Sequence, residues 1–575
     1  MKLQNRKRGE QIVRMSYFGW ADYTVFGGML VVSSAIGVYQ GNAARGGSAI
    51  QFLTGGGQMA TFPVALSMLA SFLSSITLMG QPAEVYLYGA QQWLFGIASF
   101  IIVPVVGYVM VPFFRERNYF SAYQYFGERF SRKLQLLASC LFTFQMVLYL
   151  SLVLYAPALA MHQVTGLNTL MLVTIMYVVC IVYTTIGGMK AVIWTDTFQV
   201  VVLFVSLGAV LTKGTMDIGG TKVVWERSQQ FNRTTFFNWN YDMTERYTFW
   251  SSLIGSGFLH ISTYGGNQLQ IQRYLTVKST KDARRMLWIN AIGWALVMFL
   301  CVYAGLLIFA AYAYCDPLRT QKISKPDQLF PLFVMETLYT YPGFPGLFIC
   351  GIFSAGLSTV STGVNSLAAI WFAELEGTQF RKKLTDSQTG LVVKGLALTF
   401  GILSYLVVFI VPFMGGLVPL AVSLSSIFAG SLFGLFMLGM MSNKTNALGS
   451  ATGLITSVVF LCWISSGASW AQKHGQIVHL PQPSSLAGCA TPVEEKVKHG
   501  GEYAFLLYRI SYTWYCLIAT FTTIIVGFAA SYLVNWLTPR SRVQETLTQN
   551  DLNINNLLLN EKELKVVTIQ NKGAR

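Results

Sequence analysis

The chain has 575 residues, of which 53% are hydrophobic and only 11% charged. Soluble globular chains carry about 25% charged residues, so the composition excludes an ordinary water-soluble enzyme, a disordered chain and a small disulfide-stapled module. The charge is lopsided, 40 Lys and Arg against 24 Asp and Glu for a formal +16; such an excess fits nucleic acid, a membrane surface or acidic partners, and its placement along the chain has to decide.

Uncharged stretches long enough to cross a bilayer, about 20 apolar residues as a helix, recur throughout. In chain order they predict helices near 20–40, 62–82, 93–114, 136–160, 169–186, 191–212, 248–270, 288–312, 344–372, 391–412, 417–440, 447–467 and 510–537. The chain is thus expected to be an all-α polytopic membrane protein with about thirteen spans. The run from Leu134 to Met189 is divided by Ala160–Gly166 with His162, and the run from Gly395 to Asn443 by Met414-Gly415-Gly416. The alternation of a membrane β-barrel is absent, and the first apolar stretch is too long for a cleaved signal peptide.

Lys and Arg in the short loops set the orientation. Arg115, Arg117, Arg129, Arg132 and Lys133 follow the third span, Arg273, Lys278, Lys281, Arg284 and Arg285 the seventh, and Arg381, Lys382 and Lys383 the ninth; the connections 84–92, 161–168 and 413–416 hold neither Lys nor Arg. Residues 1–19 are therefore expected outside, the membrane domain over 20–537, and a polar, disordered tail over 538–575 in the cytoplasm. The basic N-terminus (Lys2, Arg6, Lys7, Arg8, Arg14) opposes this, with only Arg45 in the first interior loop. The sequon at Asn232 falls in a long exterior loop and is expected to be glycosylated; a second at Asn443 falls in a cytoplasmic turn and goes unused. Six of the eight cysteines lie in spans as small apolar residues, while Cys315 and Cys489 fall in exterior loops, either bridged or free.

In lipid every main-chain polar group must be satisfied, so a helix is broken only where it lines a protein or aqueous cavity. Two spans carry such breaks: the second, from Ala70 through Ser71, Ser74, Ser75 and Thr77 to Gly80-Gln81-Pro82 and Glu84, and the seventh, with Ser256, His260, Ser262, Thr263, Tyr264, Gly265, Gly266 and Asn267. They lie five spans apart, and an odd spacing inverts the second set relative to the first, the five-plus-five inverted repeat of secondary transporters, over about 62–212 and 248–440. In the ninth span Ser354, Ser358, Ser361 and Thr362 share one helical face with Thr359 at its edge. Freed carbonyls with such hydroxyls suit a hard monovalent cation; the same hydroxyls could equally bond their own helix or permit close packing.

The stretches Tyr183-Thr-Thr-Ile-Gly-Gly-Met-Lys-Ala-Val-Ile-Trp-Thr-Asp-Thr-Phe-Gln199, Tyr264-Gly-Gly-Asn-Gln-Leu-Gln-Ile-Gln-Arg-Tyr274, Pro345-Gly-Leu-Phe348 through Ser361-Thr-Gly-Val-Asn-Ser366, Phe18-Gly-Trp-Ala-Asp-Tyr23 and Tyr155-Ala-Pro-Ala-Leu159 resemble the sodium/solute symporter family. Within it they look most like the branch of iodide, monocarboxylate and multivitamin symporters. The resemblance covers about residues 15–540 and implies a leucine-transporter type fold at the plasma membrane with the N-terminus outside. It implies a sodium site from the carbonyls of Ser74, Thr77 and Ala355 and the hydroxyls of Ser358 and Thr359. A second sodium or substrate region falls on Phe72, Ser74, Thr77 and Tyr149, and a sodium exit on Asp196 and Gln199. Thr77 stands where the iodide transporter has Gln, and His260 where it has Trp, which argues against iodide.

Asp196 reads as an isolated carboxylate at a membrane boundary, snorkelling or receiving Na⁺. His260 either meets an anionic substrate or packs as a hydrogen-bonded neutral ring; with Phe72, Thr77, Tyr264 and Asn267 it forms the candidate substrate set. Glu84 faces water or caps structure. With no Lys or Arg deep in the spans, the substrate is expected to be neutral or singly charged. Sodium-coupled uptake of a small organic monocarboxylate by alternating access is thus the leading expectation, with a sugar, polyol or vitamin as alternative and a channel or nutrient sensor on the same scaffold as the rival of another class. An embedded enzyme is disfavoured, since the chain has five His and no His-Glu-x-x-His motif. The basic excess reads as loops set against anionic lipid, with the bilayer, Na⁺ and the solute as partners and no nucleic acid.

Overall fold

The computed structural model describes residues 18–43, 48–117, 119–338, 340–376, 378–379, 383–413, 417–489 and 504–537. The basic N-terminal residues up to Arg14, Arg45, the Arg381-Lys382 pair, the Met414–Gly416 break and the expected tail over 538–575 lie outside the described residues.

In chain order the helices are α1 (Trp20–Ala43), α2 (Ala49–Thr54), α3 (Thr61–Phe72), α4 (Ser75–Tyr88), α5 (Leu94–Val105), α6 (Val111–Arg117), α7 (Gln124–Arg129), α8 (Arg132–Thr165), α9 (Thr169–Ile218) and α10 (Thr221–Gln230). They continue with α11 (Ser256–Gly266), α12 (Gln268–Tyr274), α13 (Thr280–Tyr312), α14 (Leu329–Leu338), α15 (Phe344–Leu375), α16 (Asp386–Val407), α17 (Leu417–Met441), α18 (Ala447–Lys473), α19 (Leu506–Arg509) and α20 (Tyr515–Leu537). A π-helical turn, Val106–Met110, joins α5 to α6, and another, Ser251–Gly255, leads into α11. Among the described residues, ten helices are long and apolar enough to cross a membrane, or eleven when α3 and α4, bent by 59°, count as one span. The sequence expectation was about thirteen. The difference sits in two places: α9 runs 50 residues through a kink at Gly188, and the seventh predicted span is interrupted at Asn267, between two short helices.

The stretches that carried the family resemblance meet in space. Asp22 of α1 accepts the amides of Gly343 (3.1 Å) and Gly346 (2.9 Å) at the start of α15, a carboxylate set against a helix N-terminus. α15 is the central element, with 94% of its most apolar stretch buried inside the protein, against 28% for α1 and α20. It packs most extensively on α9.

Two ends of the bundle differ in chemistry. One carries the Cys315–Cys489 disulfide, which joins positions 174 residues apart, and buried Arg233, whose guanidinium donates to the carbonyls of Tyr86, Phe231, Gln482 and Pro483 and lies 4.0 Å over the Phe309 ring. Exposed Asn232 sits beside it at φ 61°. At the other end arginines close helix ends. Arg129 donates to the carbonyls of Gly439 (3.2 Å) and Ser442 (2.6 Å) at the end of α17, and Arg115 to those of Tyr274, Val277 and Lys278.

Gly188 tests the kink. Its φ of 58° favours glycine, and a Cβ there would meet the Phe52 ring at 2.7 Å and the Phe52 carbonyl at 2.8 Å. Gly188→Ala is expected to destabilise the protein by about 1–3 kcal/mol and to lower surface expression. Gly208→Ala, where a Cβ meets nothing within 4 Å, should leave both unchanged. Thermal stability of the detergent-extracted protein checks both.

Candidate functional site

The break between α3 and α4 is built by two residues. Leu73 takes φ −75°, ψ 74°, and Ser74 takes an extended conformation and caps α4, its hydroxyl accepting the Thr77 amide at 3.3 Å. The cap satisfies a donor of α4; the carbonyls of α3 fare differently. The Ser74 amide turns back to Phe72 O (2.9 Å) and the Leu78 amide takes Ser74 O (3.2 Å). The carbonyls of Ala70 and Leu73 accept no main-chain hydrogen bond among the described residues. Of the carbonyls that the resemblance implies, Ser74 O closes the first turn of α4 and Thr77 lies within that helix, its hydroxyl 3.2 Å from Ser74 Oγ. Tyr149 of α8 lies beside Ser74.

α15 faces this break. Thr359 Oγ1 donates to Ser71 O (3.3 Å) and to Ala355 O (3.0 Å), bridging the end of α3 to α15. Ser358, fully buried, faces Asp196 of α9. The Ser354 and Ser358 hydroxyls, Asp196 Oδ1 and Gln199 Oε1 have no hydrogen-bond partner among the described residues. Gln199 reaches Ser33 Oγ at 3.4 Å through its nitrogen. The surroundings of the break are therefore rich in buried oxygen, the ligand type that a hard cation requires.

Asp196 is neither isolated nor snorkelling. Its Oδ2 accepts from Ser67 Oγ at 2.6 Å and from Arg273 Nη2 at 3.2 Å, and both ionic side chains are fully buried. The sequence placed Arg273 in a basic loop; instead it ends α12 inside the protein and also donates to Ser71 (2.5 Å), Thr362 (2.8 Å) and the Leu269 carbonyl (3.0 Å). The expectation of no deep Lys or Arg is corrected accordingly. A carboxylate with no access to water needs a counter-charge, and a buried guanidinium needs acceptors for its full fork. The pair leaves the core locally neutral. It ties α3, α9, α12 and α15 together at the Arg-rich end.

At the second break Asn267 caps α12, its side chain accepting the Leu269 amide at 2.9 Å, so it marks the discontinuity. One to two turns earlier, His260 and Tyr264 enter a ring cluster with Phe72 of α3 and Trp294 of α13. Phe72 stacks on Tyr264 at 4.7 Å and meets Trp294 edge-on at 6.1 Å, and His260 meets Trp294 at 5.4 Å. His260 Nδ1 lies 2.7 Å from the Ser256 carbonyl, which requires the proton on Nδ1. Trp294 and Asn290, which accepts from the Tyr264 hydroxyl, were not singled out from the sequence: they lie in an apolar span with no break to draw attention.

Glu84 was expected to face water or to cap; it is buried instead. Arg246 holds it with two contacts, 2.9 and 2.6 Å, and Tyr247 donates to it at 2.8 Å. The Arg246 guanidinium lies 4.6, 5.7 and 5.3 Å from the rings of Tyr88, Tyr247 and Tyr512, a cation–π enclosure. Burial first, and then the Arg246 charge, lowers His479 nearby to about 4, so at neutral pH His479 adds no positive charge there. This cluster binds the C-terminal half of α4 to the loop before α11 and to the turn that leads into α20, at the disulfide end.

Residues 52–457 match the model of the sodium:solute symporter family, and the chain belongs to that family. It is a multi-pass plasma-membrane protein that couples Na⁺ to the transport of a small solute, and it is not an enzyme. Among its relatives, sodium-coupled monocarboxylate transporter 1 of Homo sapiens is 36% identical over 529 residues, 89% of this chain and 86% of that protein. The putative sodium-dependent multivitamin transporter of Drosophila melanogaster is 36% identical over 560 residues, 94% and 91% of the two chains. A Na⁺-coupled sialic acid symporter solved in a substrate-bound outward-open state aligns with TM-score 0.73 at 24% identity, over 90% of this chain and 98% of that one. The shared fold is the leucine-transporter type with inverted repeats.

The buried pair makes a stability test. Asp196→Ala or Arg273→Ala alone leaves one charge uncompensated and is expected to cost about 3–5 kcal/mol. Asp196→Leu combined with Arg273→Met removes both charges and should recover most of that loss in thermal stability. A double variant no more stable than the singles would show that the surrounding hydroxyls, rather than the charge pair, hold this region.

Proposed function

We propose that the chain takes up a small organic monocarboxylate with Na⁺ by alternating access. The observation that carries this reading is the meeting, at the break of α3 and α4, of a cluster of buried oxygens on α15 with the ring cluster of Phe72, His260, Tyr264 and Trp294. The first suits a dehydrated cation; the second suits the apolar body of a small solute. The relatives named for monocarboxylates support the solute class. A vitamin that carries a carboxylate is the alternative favoured by the multivitamin relative. A sugar or polyol is less suited to a ring cluster with few hydroxyl-binding side chains.

In this proposal Na⁺ sits between the broken span and α15. The Ala355 carbonyl, the Ser358 and Thr359 hydroxyls and the freed carbonyls of Ala70 and Leu73 would surround it. Ser74, Thr77 and Tyr149 border a second sodium or the solute, and Asp196 with Gln199 receive the departing ion. Core repeats over about 62–212 and 248–440 carry the motion. The orientation puts the disulfide end outside, where thiols oxidise, and with it the Asn232 sequon and residues 1–19; residues 538–575 are then cytoplasmic.

Driving force bears on the stoichiometry. Moving one net charge through 100 mV is worth about 2.3 kcal/mol, and one Na⁺ with one monovalent anion moves none. At least two Na⁺ per anion are therefore expected, and collapsing the membrane potential should depress uptake. Labelled lactate, nicotinate, biotin, pantothenate, iodide and glucose, each with and without Na⁺, test the solute class. Saturable, Na⁺-dependent uptake of a monocarboxylate supports the proposal. Uptake confined to glucose overturns it, and a conductance that never saturates favours the channel. Ser358→Ala with Thr359→Ala should raise the Na⁺ needed for half-maximal uptake by about tenfold or more, equivalent to about 1.4 kcal/mol, at unchanged surface expression. Unaltered Na⁺ dependence would remove these hydroxyls from the ion site.

A further inference from the structure

We infer that the side-chain amide of Asn290 on α13 holds the carboxylate of the transported solute; this rests on the monocarboxylate reading above. Asn290 is 1% exposed. Its Oδ1 accepts from the Tyr264 hydroxyl, which fixes the plane of the amide, and its Nδ2 has no hydrogen-bond partner among the described residues. An amide nitrogen carries two N–H donors, and a buried donor left unmatched is disfavoured, so this amide still calls for an acceptor.

The other donors of the ring cluster are engaged one by one. Trp294 Nε1 donates to the Phe95 carbonyl at 3.4 Å and His260 uses Nδ1–H on the Ser256 carbonyl, which leaves Nε2 of the neutral ring as an acceptor. Thr263 donates to the Leu259 carbonyl and Ser262 does likewise. Other buried side chains with unmatched N–H groups, Gln92, Trp250, Asn365 and Trp514, lie outside this cluster. An anion seated on the rings thus meets no free cation, since Arg273 is held by Asp196, and His260 in this tautomer offers it a lone pair. Among the N–H groups of this cluster, Asn290 Nδ2 is the one left unmatched among the described residues.

Asn290 and Trp294 are four residues apart and so share a face of α13, directed at Tyr264 and Phe72. Gly293 lies between them, where a Cβ would come 2.7 Å from Leu69 of α3, so the helix carrying the amide is drawn close to the broken span. A carboxylate only accepts hydrogen bonds, and N–H groups shared with an anion bind it more strongly than they bind a neutral carbonyl. A neutral amide therefore selects a carboxylate over its carboxamide, and it releases the solute more readily than a fixed cation would.

The test compares the full-length protein with Asn290→Asp, which keeps the shape but removes both donors, and with Asn290→Leu. Uptake of a labelled monocarboxylate is measured at saturating Na⁺ alongside surface labelling, competition by the matching carboxamide, and Na⁺-dependent charge movement without solute. Both variants are expected to raise KM about tenfold or more, with Asp the worse, while the solute-free charge movement persists. The preference for carboxylate over carboxamide should narrow or reverse in Asn290→Asp. An unchanged KM and preference in Asn290→Asp overturns the inference, as does loss of charge movement together with uptake, which would mark a structural role. A wild-type protein that takes up no monocarboxylate overturns the substrate reading itself.

Discussion

A main-chain carbonyl that leaves a helix inside a bilayer has no water to turn to, and the break between Phe72 and Ser75 creates that situation at the centre of this protein. Ser74 supplies the cap that α4 needs, but it does so by turning its own amide back to Phe72 and closing its carbonyl on Leu78. What is left over belongs to the end of α3, and α15 is the element placed against it. α15 packs closely on α9 and α8 because it carries small residues there. A Cβ on Gly351 would lie 2.2 Å from Ser206 Oγ, and one on Gly363 2.6 Å from Leu150. Small residues allow close helix approach where no hydrophobic force draws helices together, and here they also bring the Ser358 and Thr359 hydroxyls to the break.

The broken span is anchored at both ends by charge. Below the break, Ser67 and Ser71 of α3 join the Asp196–Arg273 pair; above it, Glu84 of α4 is enclosed with Arg246 and three tyrosines. Buried pairs are costly to part because each partner left alone is an uncompensated charge. The intervening residues Leu73 and Ser74 hold no such anchor and already have non-helical dihedrals. Moving α4 away would part the Glu84–Arg246 pair, and moving α3 away would strip the Asp196–Arg273 pair of the Ser67 and Ser71 hydroxyls, so the two halves of the span are least tied at Leu73 and Ser74.

How much of this the sequence showed depends on whether the signal was local. The apolar runs stand out because a bilayer demands about 20 of them in a row, and the breaks stand out because Ser, Thr, Gly and Pro cluster at Ser74 to Pro82 and at Ser262 to Asn267. Asp196 was visible as a lone acid, but not its partner, since Arg273 lies 77 residues on and pairing across helices leaves no period in the chain. Its neighbours Lys278 and Lys281 made Arg273 look like one more loop cation. Glu84 and Arg246, 162 residues apart, were hidden for the same reason. That the carbonyls of Ala70 and Leu73 accept no main-chain hydrogen bond among the described residues was hidden because dihedral angles, not residue types, decide which carbonyls are free. Asn290 and Trp294 carried no mark at all, sitting in an unbroken apolar helix.

The pairing also changes what the +16 means. A fixed unpaired charge in the core would move with the protein, and the membrane field would act on it in every cycle whether or not cargo was bound. Asp196 with Arg273 and Glu84 with Arg246 each sum to zero, so the field finds little to act on in these two clusters and must act mainly on Na⁺ and the solute. The basic excess, meanwhile, is not only a lipid-facing coat. Arg115 and Arg129 close the carbonyl ends of membrane helices, and Arg132 binds Glu374 of α15 at 2.9 Å. These positions would need a cation whatever the lipid, because the last carbonyls of a helix have no partner within it. Part of the basic excess is therefore the means by which helices of this protein end.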